Sequence, residues 1–138
     1  MKKTIQPRKQ RNARRDAPMH TRKKLMHSNV ALQLRTKLGT KLRSILIKKG
    51  DKVLIISGSF KKKEGTVMNV DYSKLKVFVE GVSRSNAKGQ QKLIPIDPSN
   101  LRIIDGDFTT KDRKAVLERS AKASVSASSQ KVASKQSK

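Results

Sequence analysis

The apolar residues of this chain crowd between Ile45 and Ile104, and neither flank has enough of them to build a core. Of its 138 residues, 34 % are hydrophobic, whereas globular domains average about 45–50 %. One small domain with a modest interior is therefore the most the chain supports. The charge is as uneven as the hydrophobicity. The first fifty residues hold sixteen Lys or Arg and a single acid, Asp16, which gives +15 of a total +24. Residues 51–104 hold ten basic and five acidic side chains, and residues 105–138 hold eight and four. No core needs the N-terminal run, and alone it repels itself. A strongly negative partner is implied, with nucleic acid the first candidate.

Several function classes are excluded or disfavoured. There is no cysteine, so disulfides and thiolate metal sites are absent. No apolar run approaches the ~18 residues of a membrane span. Basic residues at the N-terminus are followed by no apolar stretch, so it is not a secretory signal. The clusters Arg8-Lys9-Gln10-Arg11 and Arg14-Arg15 fit a mitochondrial transit peptide poorly. His20 and His27 lie seven apart with no further ligands nearby, which suits packing or phosphate contact better than a metal. Asp105, Asp107 and Asp112 suit capping and dipole compensation better than cation binding. Gly58 and Gly65 bracket no nucleotide loop, because no Gly-Lys-Ser/Thr follows. With two histidines on a basic arm and no thiol, the sequence offers no credible Ser-His-Asp or Cys-His constellation. No enzyme activity, catalytic residue, cofactor, metal or small-molecule substrate is expected, nor a homo-oligomer.

Along the chain, residues 1–16 read as an extended basic arm. Pro18 introduces a short helix over Met19–Met26. A second helix is expected from a Ser28 or Asn29 cap, with Val30, Ala31, Leu34 and Leu38 on one face and Gly39 as its stop. Together these occupy residues 1–44. Residues 45–104 read as five short strands at roughly ten-residue spacing: Lys52–Ser57, Thr66–Val70, Leu75–Glu80, Lys92–Ile96 and Leu101–Ile104. Ser85–Gln90 is a polar hairpin tip. Thr109 and Asp112 form a capping box for a helix over residues 105–123. Residues 124–138 are a Ser-rich, low-complexity tail. The fold class is therefore mainly β, a small barrel with a basic extended arm, two short N-terminal helices and a C-terminal helix. Phe60, Tyr72 and Phe78 are too few aromatics for a base-stacking sheet.

Lys49-Gly50-Asp51-Lys52-Val53-Leu54-Ile55-Ile56-Ser57-Gly58, followed by Lys63-Glu64-Gly65-Thr66-Val67-Met68-Asn69-Val70, resembles the KOW motif of SH3-like barrels. Gly50 and Gly58 suit turns with positive backbone angles, and Gly65 suits close packing at a strand start. The likeness extends to Gln6-Pro7-Arg8-Lys9-Gln10-Arg11, Ala17-Pro18-Met19-His20, Arg22-Lys23-Lys24-Leu25-Met26 and Lys48-Lys49-Gly50-Asp51. It continues through Val79-Glu80-Gly81-Val82, Pro95-Ile96-Asp97-Pro98-Ser99-Asn100, Asp112-Arg113-Lys114 and Leu117-Glu118-Arg119. In that order the segments resemble the uL24 family of large-subunit ribosomal proteins, called L26 in eukaryotic naming. The long arm is of the archaeal and eukaryotic type, and Gln6–Arg11 leans archaeal. The chain departs from the family at Lys61-Lys62-Lys63-Glu64, which keeps the charge of that loop and lacks its glycine. Asp97 stands where the family commonly has His, and the Ser-rich tail matches no family feature.

The resemblance implies binding to the 5′ region of large-subunit rRNA, support of early subunit assembly, and a cytoplasmic ribosomal position near the polypeptide exit tunnel, with Ser83–Gln91 as a protruding loop. Neighbouring large-subunit proteins are the other implied partners. The residues expected at the rRNA are Arg8, Lys9, Arg11, Arg14, Arg15, Arg22, Lys23, Lys24, Arg35, Arg43, Lys48, Lys49, Lys61, Lys62, Lys63, Arg84, Lys88 and Arg113. Arginine suits this role because its planar fork matches phosphate oxygens and stacks on unpaired bases. A KOW module of a transcription-elongation factor is the alternative, although it would normally adjoin a further domain. A nucleoid-compacting protein is a third class.

Overall fold

Alternating burial builds most of the sheet. A computed structural model describes residues 4–120. Its strands are β1 (His27–Val30), β2 (Ser44–Leu46), β3 (Lys52–Ile55), β4 (Glu64–Asp71), β5 (Lys76–Ser85), β6 (Gln91–Ile96) and β7 (Leu101–Asp105). They lie in the order β2-β1-β7-β3-β4-β5-β6. Every pairing is antiparallel except β1 with β7, which is parallel. Val53, Ile55, Val67, Val77, Val79, Leu101 and Ile103 are each at most 2 % exposed and form one cluster with Met26, Val30, Leu34, Ile45 and Ile47. β-branched side chains dominate it, as suits a pleated, buried face.

The sheet must coil to close over so small a core. In β5, Val79 and Val82 are both buried although they are three apart, so one extra residue lies between them. The ladder with β6 shifts register there, between Phe78 and Ser83, and Gly81 supplies φ +74°. A bulge of this kind bends the strand and increases its twist. Gly65 lies against the same bend. A Cβ at that position would sit 2.6 Å from the Glu80 carbonyl oxygen, so only glycine fits. Gly50 and Gly58 take φ +90° and +99°, as the KOW reading requires. The result is a small, barrel-like β domain, in agreement with the expected fold class.

Three local expectations are corrected. The helix expected from Ser28 starts only at Leu32, as α3 (Leu32–Lys37), and ends at Gly39 with φ +58°. His27–Val30 is instead a strand between β2 and β7, and the Ser28 hydroxyl donates to the Leu101 carbonyl rather than capping. Sheet pairing outweighs the weak local helix preference. The sheet thus takes in residues on the N-terminal side of Ile45. The arm is not extended throughout, because Pro7–Arg15 form α1. Pro7 is preset for the first turn, Lys, Arg, Gln and Ala are good helix formers, and Arg14 and Arg15 sit at the negative end of the helix dipole. Finally, Thr109 does not cap the C-terminal helix, α4 (residues 111–120). The Thr110 carbonyl accepts the first helical N–H groups, from Arg113 and Lys114. Thr109 donates both N–H and hydroxyl to Asp107, which holds that carboxyl below its ordinary value. The expected end of this helix and the Ser-rich tail lie outside the described residues.

Candidate nucleic-acid interface

A charged face is useful to a polyanion only if its side chains are not consumed internally. Helix α1 buries no residue, so Arg8, Lys9, Arg11, Arg14 and Arg15 are all exposed. Arg15 pairs with Asp16 at 2.9 Å, but both side chains are largely in water and the pair is weak. Helix α2 (Met19–Leu25) follows and carries Arg22, Lys23 and Lys24. Arg22 is tied inward. Its Nε donates to the Ala17 carbonyl at 2.8 Å, its Nη1 to the Ser73 carbonyl at 3.3 Å, and its Nη2 to the Arg15 carbonyl. It clips the end of α1 to α2 and to the β4–β5 turn. Arg35 is similarly engaged with the carbonyls of Val30 and Arg43.

Next to α2 the structure gathers cations that are far apart in sequence. A groove of about 590 Å³ runs between α2, β2 and α4. Ile45, Leu46, Ala115 and Val116 give it apolar walls, and His20, Lys23, Lys24, His27, Lys48, Asp112, Arg113 and Arg119 give it polar ones. A second hollow shares Lys23, Lys48 and Asp112 and adds Lys49, Asn69 and Tyr72. A third shares His27 and adds Gln10 and Arg14 of α1. Lys23, Lys24, Lys48 and Lys49 thus lie on one surface that continues to α1. Lys48 Nζ donates to Thr110 Oγ1 at 2.9 Å, while Lys23 lies 3.7 Å from Asp112 in a weak, solvent-exposed pair. Partial burial pushes the His27 imidazole below its ordinary pKa.

Other candidates stand apart from this surface. Lys61, Lys62 and Lys63 are exposed on the β3–β4 loop, where Lys63 Nζ lies 5.3 Å from the Phe60 ring centroid. Arg84 and Lys88 are exposed on the β5–β6 hairpin, whose tip is closed by the Asn86 N–H to Gln90 carbonyl bond at 2.9 Å. Arg43 is exposed just before β2. Asp97 pairs with Lys76 at 3.0 Å.

Arg113 is a correction. It is 1 % exposed and turned into the domain. Nη1 donates to Asp51 Oδ1 at 2.8 Å and to the Asp107 carbonyl at 2.7 Å, while Nη2 donates to the Leu46 carbonyl at 2.9 Å and to Asp51 Oδ2. Its guanidinium lies 5.0 Å from the Phe108 ring centroid. Asp51 is equally buried and also accepts the Lys48 N–H at 2.7 Å. No phosphate can reach this guanidinium. It fastens α4 to the barrel, and by doing so it sets one wall of the groove.

The sequence reading missed Arg102 and Arg119. Arg102 lies between the fully buried Leu101 and Ile103, so strand alternation alone turns it outward. Arg119 lies seven residues after Asp112, two turns along one helix face. Among the described residues, no group of His, Cys, Asp or Glu could hold a metal ion, and no helix is long and apolar enough to cross a membrane.

Comparison with known proteins bears on the same segment. Residues 4–120 match the family of ribosomal proteins described as L26 in eukaryotes and, in archaea, as the L24 protein. The chain is also similar to the large ribosomal subunit protein uL24 of Pyrobaculum islandicum, at 41 % identity over 119 residues. That match covers 86 % of this chain and 95 % of the relative.

Proposed function

This chain belongs to the L26/uL24 family of ribosomal proteins, and from that membership we propose that it binds the 5′ region of large-subunit rRNA. It is a structural protein of the large ribosomal subunit, in the cytoplasm. Its role is to support early subunit assembly, at a position near the polypeptide exit tunnel. The observation that carries the rRNA reading is α1, which presents five cations and buries none of its residues. A helix with no apolar face gains nothing from packing on its own domain. It gains from a phosphate surface, where each neutralised phosphate releases bound counterions. The surface beside α2 and α4 adds Lys23, Lys24, Lys48 and Lys49. The mechanism is charge neutralisation with shape fit: cations placed on a rigid barrel let RNA helices that repel each other pack together.

The test is a titration of the full chain with a transcript of the 5′ region of large-subunit rRNA, against a 3′-region transcript and duplex DNA as competitors. Tighter binding to the 5′ transcript, weakening steeply with salt, is expected. Equal affinity for all three would contradict the reading and favour a nucleoid-compacting role.

A further inference from the structure

Beside β1 lies a smaller hollow that the motifs do not account for. Strand β1 sits between β2 and β7, and Asn29 pairs with Ser44 on one side and Arg102 on the other. Arg43, the residue before Ser44, and Arg102 therefore approach Asn29 from opposite neighbours. Arg35 joins them from α3, held by Nε to the Val30 carbonyl at 3.0 Å and Nη2 to the Arg43 carbonyl at 3.4 Å. These two bonds use two of the five N–H donors of a guanidinium and fix its plane. The three arginines, with Asn29, Val30 and Leu32, line a hollow of about 330 Å³, and no carboxylate lines it.

Three guanidiniums lining a common space without a counter-charge repel one another. The fold nevertheless holds them there on rigid supports, since the neighbours of Arg102 are fully buried and Val30 is in the core. An anion with several acceptor oxygens relieves the repulsion and can take forked hydrogen bonds from more than one guanidinium. We propose that this hollow is a seat for one backbone phosphodiester of the rRNA, with Arg102 as a binding residue alongside Arg35 and Arg43. This rests on the rRNA reading above and adds to it a discrete phosphate contact on the sheet, separate from the helical surface.

The experiment compares the full-length chain with its Arg102→Gln variant on the 5′-region transcript across a potassium chloride series. Arg43→Gln serves as a second variant, and a variant with the five α1 cations changed to Gln as reference. Arg102 is exposed and, among the described residues, in no ion pair, so its urea midpoint should not move. The expected result is a salt slope shallower by about 0.7–0.9, for one phosphate contact, with affinity roughly tenfold lower at moderate salt. If both single variants bind with the wild-type slope and affinity while the α1 variant loses both, the seat is refuted and the rRNA reading stands. If the wild-type chain shows no preference for the transcript, the rRNA reading fails and takes the seat with it.

Discussion

Substituting Arg113 by methionine removes one half of a buried ion pair, and the cost follows from what is left behind. Asp51, 1 % exposed, would keep only the Lys48 N–H as a partner for its charge. The carbonyls of Leu46 and Asp107 would lose their guanidinium donors, and Phe108 its cation. Breaking a buried pair from one side costs about 3–5 kcal/mol, a large share of the roughly 5–15 kcal/mol that holds an average domain together. With a urea dependence of about 2 kcal/mol per molar, the unfolding midpoint of Arg113→Met should fall by roughly 2 M. The assay is urea unfolding of the full chain followed by circular dichroism. Asp51→Leu should cost a similar amount. The double variant should be less damaged than the two costs added together, with a coupling of about 2 kcal/mol. Recovery will be incomplete, because the Lys48 N–H and two carbonyls stay unpaired. A midpoint loss below ~0.5 M for Arg113→Met, together with a shallower salt slope in rRNA binding, would refute the buried assignment and restore Arg113 to the surface.

Three further outcomes follow from the geometry. Gly65→Ala should lower stability by about 1–3 kcal/mol, read as a lower urea midpoint, because the new Cβ meets a strand carbonyl at 2.6 Å that cannot swing aside. Changing Arg8, Lys9, Arg11, Arg14 and Arg15 together to Gln should reduce the salt slope of rRNA binding by roughly 3.5–4.5 while leaving the thermal midpoint of the barrel in place, since α1 buries nothing. His27, lowered by burial, should titrate below about 6.5 by NMR. Its neutral form is favoured by folding, so its contribution to stability is present above the unfolded value and is lost as pH falls through the folded one. His27→Gln should remove that part of the acid-side loss.

Strands with their own alternating pattern were readable from the sequence. Val77 and Val79 against Lys76 and Glu80, or Leu101 and Ile103 around Arg102, carry the period that a half-buried sheet imposes. The glycines of the KOW segment also announced their backbone demands. Strand β1 did not, because its identity lies in its partners. His27–Val30 has the composition of a helix cap and becomes a strand by pairing with Ile103 and Arg102, some seventy residues on. Helix α1 was hidden for the opposite reason: it has propensity but no apolar stripe to give it away. Arg113 looked like one more surface cation on a polar helix. Its burial depends on Asp51, 62 residues earlier in a segment that reads only as a turn. The candidate interface was legible as a set of charges. Its division into exposed cations, internal clips such as Arg22 and a buried fastener needed the tertiary contacts.

The central claim, that the chain is a structural part of the large ribosomal subunit held by rRNA, is tested most directly by sedimentation. A tagged full-length chain in cell extract would be followed through a density gradient at high salt, alongside RNA polymerase and the two ribosomal subunits. The account predicts that it travels with the large subunit and is released when the rRNA is digested with ribonuclease. Migration with RNA polymerase, and absence from the large-subunit fractions, would contradict it and support a transcription-elongation module instead.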